Sequence, residues 1–348
     1  MSSNVPRIAV IGGLSVDKKR LSRMFLSSAE EDSKLKTPPP LYTLGGAGGN
    51  FVIALGLIDR AYDSHTHVDF FTRVGHPPPN DLHAKIAHQL ATEILAENEG
   101  ITHIETSRGE CAIAFNDIVE HPGGRFALTD ELTNTGDLAY GIEESIHTVI
   151  NGTDLVFVDP RKHRTGPMGV DAAKQHGKLL MTDWGEKEWP DNPELANAYD
   201  KILRNADVVT LPTDAVVKGM APNVVNPDEL FKRLRYEYGA QNILMSNGGD
   251  HARALINGQE EQIPVLRHQG DKYANGAGDT RNAGVIWALL RGHDTRSAFK
   301  FGTDVASVKI RYPRLEWADH LANDLRDHPL FRSSGTESFP GLSLQAGN

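Results

Sequence analysis

Cysteine is almost absent from this chain: Cys111 is the only one in 348 residues. A single thiol excludes an intrachain disulfide framework and a cysteine-built zinc site, and it suits a reducing compartment. No apolar run approaches the roughly 20 residues that a membrane helix needs, and the mean hydropathy is −0.39. The first residues, MSSNVPRIAVIGGL, lack a basic segment followed by a small-residue cleavage site, so the expectation is a cytoplasmic protein without a membrane partner. Basic charge is also in deficit. Thirty-six Lys and Arg face 46 Asp and Glu, a net charge of −10, and a field of that sign repels nucleic acid. The densest basic cluster, Arg161, Lys162, His163 and Arg164, has no interleaved aromatics and reads as a solvated loop. The 15 histidines are scattered without helical pairing, which speaks against a histidine metal site.

What is present is a regular alternation. Short runs rich in Val, Ile, Leu or Phe, bounded by Gly, Pro, Asp or Asn, predict strands at Arg7–Ile11, Val68–Val74, Cys111–Phe115, Asp154–Asp159, Lys178–Thr182, Ala206–Leu211 and Asn242–Ser246. Longer amphipathic patterns between them predict helices over Asp81–Glu97, Pro227–Tyr238 and Asp279–Arg291. Such alternation implies βαβ units and a mostly parallel sheet covered on both faces, a three-layer α/β/α sandwich. Two excursions break the rhythm: residues 14–44, ending in three prolines and Leu-Tyr-Thr-Leu, and residues 105–132, which read as a hairpin around Pro122-Gly123-Gly124. They are either two separate surface loops or a small β-sheet over the active face. Residues 331–348 are small and polar and read as a poorly ordered tail.

Four glycine-bearing stretches carry the chemistry. Gly276-Ala277-Gly278-Asp279 opens a helical pattern with apolar residues at Ala283, Ile286, Trp287 and Leu290. A helix N-terminus offers free backbone N–H groups and a positive dipole end, which together bind anions. Asp279 is out of place beside a phosphate unless it abstracts a proton from an attacking hydroxyl; the alternative is a helix cap. Gly45-Gly46-Ala47-Gly48-Gly49-Asn50 precedes a second apolar helix pattern, and no Lys-Ser/Thr follows it, so it is not a Walker A loop. Gly12-Gly13 and then Asp17 follow the first strand, where α/β sheets gather ligands. Ser246-Asn247-Gly248 closes a late strand, either as a border to a nucleotide or as a plain hairpin turn. The dinucleotide fingerprint is incomplete, lacking its last glycine and acidic partner.

In this order the four stretches resemble the ribokinase/PfkB family of sugar kinases over about residues 7–312. Gly276 to Gly284 is similar to that family's second signature, except that Arg281 stands where an aromatic or small residue is usual. The resemblance implies a ribokinase-like kinase domain over 1–330 with a β-sheet lid from 14–44 and 105–132. It implies Asp279 as general base and the backbone of Gly276, Ala277 and Gly278 as an anion hole. Asp17, Gly45, Gly46 and Asn50 would hold the sugar, while Ser246, Gly248 and Asn275 would border the nucleotide. ATP and Mg²⁺ follow as cofactors and a sugar as substrate, while the exposed edges of a lid sheet invite a homodimer through the lid. One departure concerns the metal, since the family's Asn-x-x-Glu is replaced by Thr213-Asp214-Ala215-Val216. A ribokinase-like binding or regulatory protein without efficient phosphotransfer is therefore the alternative. Arg281 is expected either to meet an acidic sugar or the nucleotide phosphates, or to point into solvent.

Overall fold

A computed structural model describes residues 5–13, 15–21, 41–75, 102–107, 114–121, 124–130, 143–162, 164–184, 192–212, 226–246, 251–266, 273–274, 276–312, 316–328 and 330, with 15–21, 41–44, 73–75, 102–107, 114–121 and 124–130 described by backbone alone. The first strand, β1 (Arg7–Ile11), lies inside a nine-stranded sheet. It pairs in parallel with β4 (His67–Gly75) on one side and β8 (Leu155–Val158) on the other. Beyond β4 the edge is β5 (Thr102–Ser107), also parallel. Beyond β8 come β9 (Leu179–Asp183), β10 (Val208–Pro212) and β11 (Asn242–Ser246), all parallel. An antiparallel ribbon, β12 (His251–Ile256) and β13 (Gln259–Pro264), closes that side.

Both faces of the sheet are covered, and side-chain alternation decides which residue meets which layer. Ile8, Val10, Phe157, Met181 and Leu244 share a core with α1 (Gly46–Ala61), α6 (Ala277–Leu290), α7 (Thr295–Lys309) and α8 (Trp317–Asp324). Ala9, Ile11, Val156, Val158 and Leu180 face α2 (Glu143–Asn151), α3 (Thr165–Gln175) and α4 (Pro193–Asn205). Val209, Leu211, Ile243 and Met245 continue that face against α4 and α5 (Pro227–Tyr236). The three-layer sandwich is therefore the observed architecture. Among the described residues no helix is long and apolar enough to cross a membrane.

The two excursions do come together. A separate four-stranded sheet runs in the order β3 (Leu41–Gly45), β2 (Ser15–Leu21), β6 (Ala114–His121), β7 (Gly124–Asp130). Asp17 pairs with Thr43 on one side and Asn116 on the other. The hairpin is longer than the spacing predicts, since β6 runs on to His121; residues 111–113 of the predicted strand lie outside the described residues. Residues 105–107 belong to β5 on the main sheet, not to this second one. The reason is that β5 continues the parallel order, a placement its polar sequence THIETS does not announce. The helix expected over Asp81–Glu97 and the tail from 331 lie outside the described residues.

Close glycine contacts fix the helices that carry the site. A Cβ on Gly12 would lie 2.8 Å from the Gly48 Cα, so the end of β1 and the start of α1 touch main chain to main chain. The Gly49 N–H donates to the Gly13 carbonyl at 3.1 Å across the same contact. On α7, a Cβ on Gly302 would lie 2.6 Å from the Arg281 carbonyl and 2.5 Å from Val285 Cγ2. Since that clash is partly with backbone, relaxation is limited. Gly302→Ala is expected to destabilise the fold by about 1–3 kcal/mol, read as a lower urea midpoint at unchanged denaturant slope.

Candidate active site

The parallel strands β1, β8, β9, β10 and β11 end on one rim, and the polar residues of the site stand there. Alternation aims them. Asp159 follows Phe157 by two, Asp183 follows Met181 by two and Ser246 follows Leu244 by two, so all three lean toward the layer of α1 and α6. The N-termini of those two helices face the same rim.

α6 begins without a side-chain cap. Its N-cap is Gly276, at φ 74° and ψ 5°, a left-handed conformation that glycine adopts without penalty. Asp279 is thus a first-turn residue, not the cap. Around Gly276 and Gly278 a Cβ would meet nothing within 4 Å, so the start of α6 borders open space. The Ala277 N–H turns back to the Ala274 carbonyl at 3.1 Å, and the Thr280 N–H bonds the Gly276 carbonyl at 2.9 Å. Of the three residues expected in the anion hole, Ala277 therefore has its N–H engaged within the turn.

Asp279 is half-buried, and its carboxyl is pushed up to about 7 from 3.8. Burial is the largest cause and the negative charge of Asp183 the next. Arg161 and a hydrogen bond with the Asn50 side chain pull the other way, and Asp159 adds repulsion. Asn50 lies in the first helical turns of α1 and so links the two glycine signatures through Asp279. Gly45 ends β3, and Gly46 starts α1 at φ 76°, again a glycine conformation.

Below Asp279 lies a buried ion pair. The Arg281 guanidinium, 2% exposed, donates from Nη2 to Asp183 Oδ1 at 2.9 Å. Its Nη1 donates to Ser246 Oγ at 2.7 Å and to the Leu211 carbonyl at 3.3 Å. Thr210 Oγ1 lies 2.7 Å from Asp183 Oδ1 and 2.8 Å from Asn282 Oδ1, sharing one proton between them. Burial pulls the guanidinium below its ordinary value, and the charges of Asp183 and Asp279 oppose that. Arg281 therefore neither points into solvent nor stands free for a ligand, and Ser246 serves as one of its acceptors.

A second pair stands at the end of β8. Arg161 clamps Asp159 in bidentate fashion, with Nε at 2.7 Å from Oδ1 and Nη2 at 2.7 Å from Oδ2. Burial pushes the Asp159 carboxyl up, but the charge and hydrogen bonds of Arg161, with the charge of Lys162, hold it below its usual value. Asp159 Oδ2 lies 3.7 Å from the position of a Cβ on Gly13. The expectation of a solvated basic loop is corrected here, since Lys162 is buried and Arg161 is fixed on a buried carboxylate. Arg161 Nη1 makes no hydrogen bond among the described residues.

Comparison with known proteins gives the family. A family model described as pfkB family carbohydrate kinase matches residues 5–316. The chain belongs to the pfkB family of carbohydrate kinases. The kinase is 23% identical over 286 residues to a 5-dehydro-2-deoxygluconokinase of Clostridium perfringens, spanning 77% of this chain and 78% of the relative. A second, from Geobacillus kaustophilus, is 23% identical over 146 residues, 41% of this chain and 44% of that one. In fold the kinase is similar to the ribokinase of Arabidopsis thaliana complexed with ribose and ATP, at a TM-score of 0.66 and 15% identity over 92% of this chain and 99% of that one. It is also similar to a nucleoside kinase of Burkholderia thailandensis in complex with inosine, at a TM-score of 0.60 and 14% identity over 88% and 91% of the two chains.

Asp159, Arg161 and Asp183 escape the sequence reading, although the signal was available. Each carboxylate ends an apolar strand run, the same position that singled out the stretch after β1. Asn275, Gly248 and Thr213 to Val216 lie outside the described residues. Among the described residues no three His, Cys, Asp or Glu side chains converge as a metal site.

The raised carboxyl of Asp279 has a stability consequence. Between pH about 4 and about 7 the folded state keeps a proton that the unfolded state has lost, so stability falls as pH rises through that window. Asp279→Asn cannot ionise. The variant is expected to melt a few degrees above the parent at pH 8, with the gap closing as pH falls toward 4, measured by thermal unfolding across pH.

Proposed function

We propose that this kinase transfers the γ-phosphoryl group of ATP to a hydroxymethyl group of a sugar acid, with Asp279 as general base. The observation that carries the reading is the placement of Asp279: first turn of α6, at the strand-end rim, beside an uncapped glycine start and held by Asn50. A carboxyl with a pKa near 7 is matched to proton abstraction at neutral pH. Asp279 takes the hydroxyl proton, the oxygen forms a bond to the γ-phosphorus, and the bond to the β–γ bridging oxygen breaks with its electron pair leaving on ADP. Backbone N–H groups at the start of α6 receive the charge that builds on the phosphoryl oxygens.

Magnesium, when bound with the nucleotide, neutralises phosphate charge; it is held largely by phosphates and water with one or two carboxylates. Asp183 fits that need, because Arg281 and Thr210 bond only its Oδ1. The second sheet, carrying Asp17, is the lid over the sugar and the surface through which two copies pair. Ser246, at the end of β11, borders the nucleotide.

Two features favour an acid over a neutral sugar. Arg161 is locked by Asp159, leaving Nη1 to meet a carboxylate, and a guanidinium recognises that group with directed donors. The curated relatives are also named for a gluconate derivative.

Asp279→Asn is expected to lower kcat by about 10²–10⁴-fold. In the parent, kcat/KM should fall on the acid side with an inflection near 7, because the protonated carboxyl is no base. Coupled ADP release across pH, with neutral sugars, sugar acids and nucleosides, checks both. Arg161→Gln should raise KM for the sugar acid about tenfold or more and leave that for a neutral analogue within twofold. Equal losses on both substrates would remove the case for an acid.

A further inference from the structure

Arg281 is the cation of a helix that is otherwise apolar beyond its first turns. From Thr280 to Leu290 every residue of α6 is buried, and from Ala283 onward all are Ala, Gly, Val, Ile, Trp or Leu. An arginine only donates, from N–H groups held in a rigid planar fork, so its contacts fix direction as well as distance. Nη1 donates to Ser246 Oγ and the Leu211 carbonyl, and Nη2 to Asp183 Oδ1 and Asn282 Oδ1. Nε donates to Asn282 Oδ1 as well, at 3.2 Å. One side chain thus holds the ends of β9, β10 and β11 together with its own helix.

Asn282 shows what the arrangement forgoes. Its Oδ1 is turned to the guanidinium and to Thr210, and its buried Nδ2 has no partner among the described residues. An unpaired buried donor and a buried guanidinium both work against stability, and an apolar side chain of similar volume would fill this position more simply. Packing alone therefore does not account for the fork.

Alignment does. Ser246 and Leu211 stand at strand ends on the side that borders the nucleotide, whereas the glycine turn and Asp279 stand on α6. Arg281 follows Asp279 by two residues, a spacing at which helical side chains do not face one another, so it acts on the base through the helix. We propose that Arg281 is a positioning residue that ties the nucleotide-side strand ends to the helix of the base, setting the γ-phosphoryl group in line with the activated hydroxyl. The assignment rests on the kinase reading above. Phosphoryl transfer depends on in-line placement, and a misplacement of about 1 Å can lower the rate about 10²-fold. A misaligned phosphoryl group is also lost to water, which needs no placed sugar hydroxyl.

The experiment compares the full chain with Arg281→Lys and Ser246→Ala, using MgATP and whichever of the neutral sugars, sugar acids and nucleosides the parent turns over fastest. It reads kcat, both KM values, the ratio of ADP to phosphorylated product, melting temperature, and amide exchange over 242–246 and 277–284. Lysine keeps the charge opposite Asp183 but loses the fork, since one point donor cannot span three strand ends. Arg281→Lys is expected to lose about 10–100-fold in kcat, to keep the acceptor KM within about twofold, and to raise the ratio of ADP to product about twofold or more. A merely structural role would lower the melting temperature without moving that ratio. Ser246→Ala leaves the pair with Asp183 in place, and is expected to speed amide exchange at the start of α6, a helix to which Ser246 does not belong.

A lysine variant with the parental kcat and ratio overturns the proposal, as does one that loses kcat with the ratio unchanged. If Arg281→Lys does not fold, Ser246→Ala decides: faster exchange over 277–284 supports the tie, and unchanged exchange there overturns it. If the parent phosphorylates none of the compounds, the kinase reading fails, while exchange over 277–284 in the two variants still decides whether Arg281 binds the helix to the strand ends.

Discussion

The pair between Arg281 and Asp183 is the constraint around which the catalytic rim is arranged. One guanidinium on α6 reaches the ends of three strands: Asp183 on β9, the Leu211 carbonyl on β10 and Ser246 on β11. A flexible ammonium has no fork of this kind, and the planar geometry fixes α6 in rotation as well as in distance. Breaking such a pair from one side leaves an uncompensated buried charge, typically at a cost of about 3–5 kcal/mol. The helix that presents Asp279 and the glycine turn is thereby held at the rim by its own second turn.

The same pair also sets the charge that Asp279 experiences. Three carboxylates stand near one another at the rim, two at strand ends and one on α6, and two are matched: Asp159 by Arg161 and Asp183 by Arg281. Asp279 is left as the carboxylate without a dedicated cation, held by the neutral side chain of Asn50. Burial and the charge of Asp183 raise its carboxyl, while Arg161 limits the rise. A lone acid here would stay protonated further up the pH range, and a fully paired one would ionise lower. The surrounding pairs hold it between these limits, at the expense of stability above neutrality.

Local pattern made the frame legible and left the pairs unread. β1 and β11 lie where their apolar runs place them, and α6 begins two residues before the predicted Asp279. Those elements follow from side-chain periodicity, which is a local property. The pair of Arg281 and Asp183 joins residues 98 apart, and no local pattern reports a contact at that separation. Arg281 could be marked as unusual from its neighbours but not given a partner. The basic run at 161–164 misled because composition reports charge without direction, and Asp159 two residues earlier turns Arg161 inward. The polar strand β5 was missed because it lies at the sheet edge, where the apolar signature of a central parallel strand fades.

The two glycine signatures look like separate ligand loops in sequence, yet they form one mechanical unit. Gly12 against Gly48 brings α1 to the end of β1, so Asn50 can reach Asp279. Gly284 against Gly302 brings α7 onto α6. Each contact has main chain on both sides, so neither can be adjusted by a side-chain rotamer, and the separation of the two helix starts is set by backbone. Phosphoryl transfer depends chiefly on such positioning. Gly12 and Gly48, which read as ligand contacts, therefore do their work one layer further in, fixing the distance between Asp279 and Asn50.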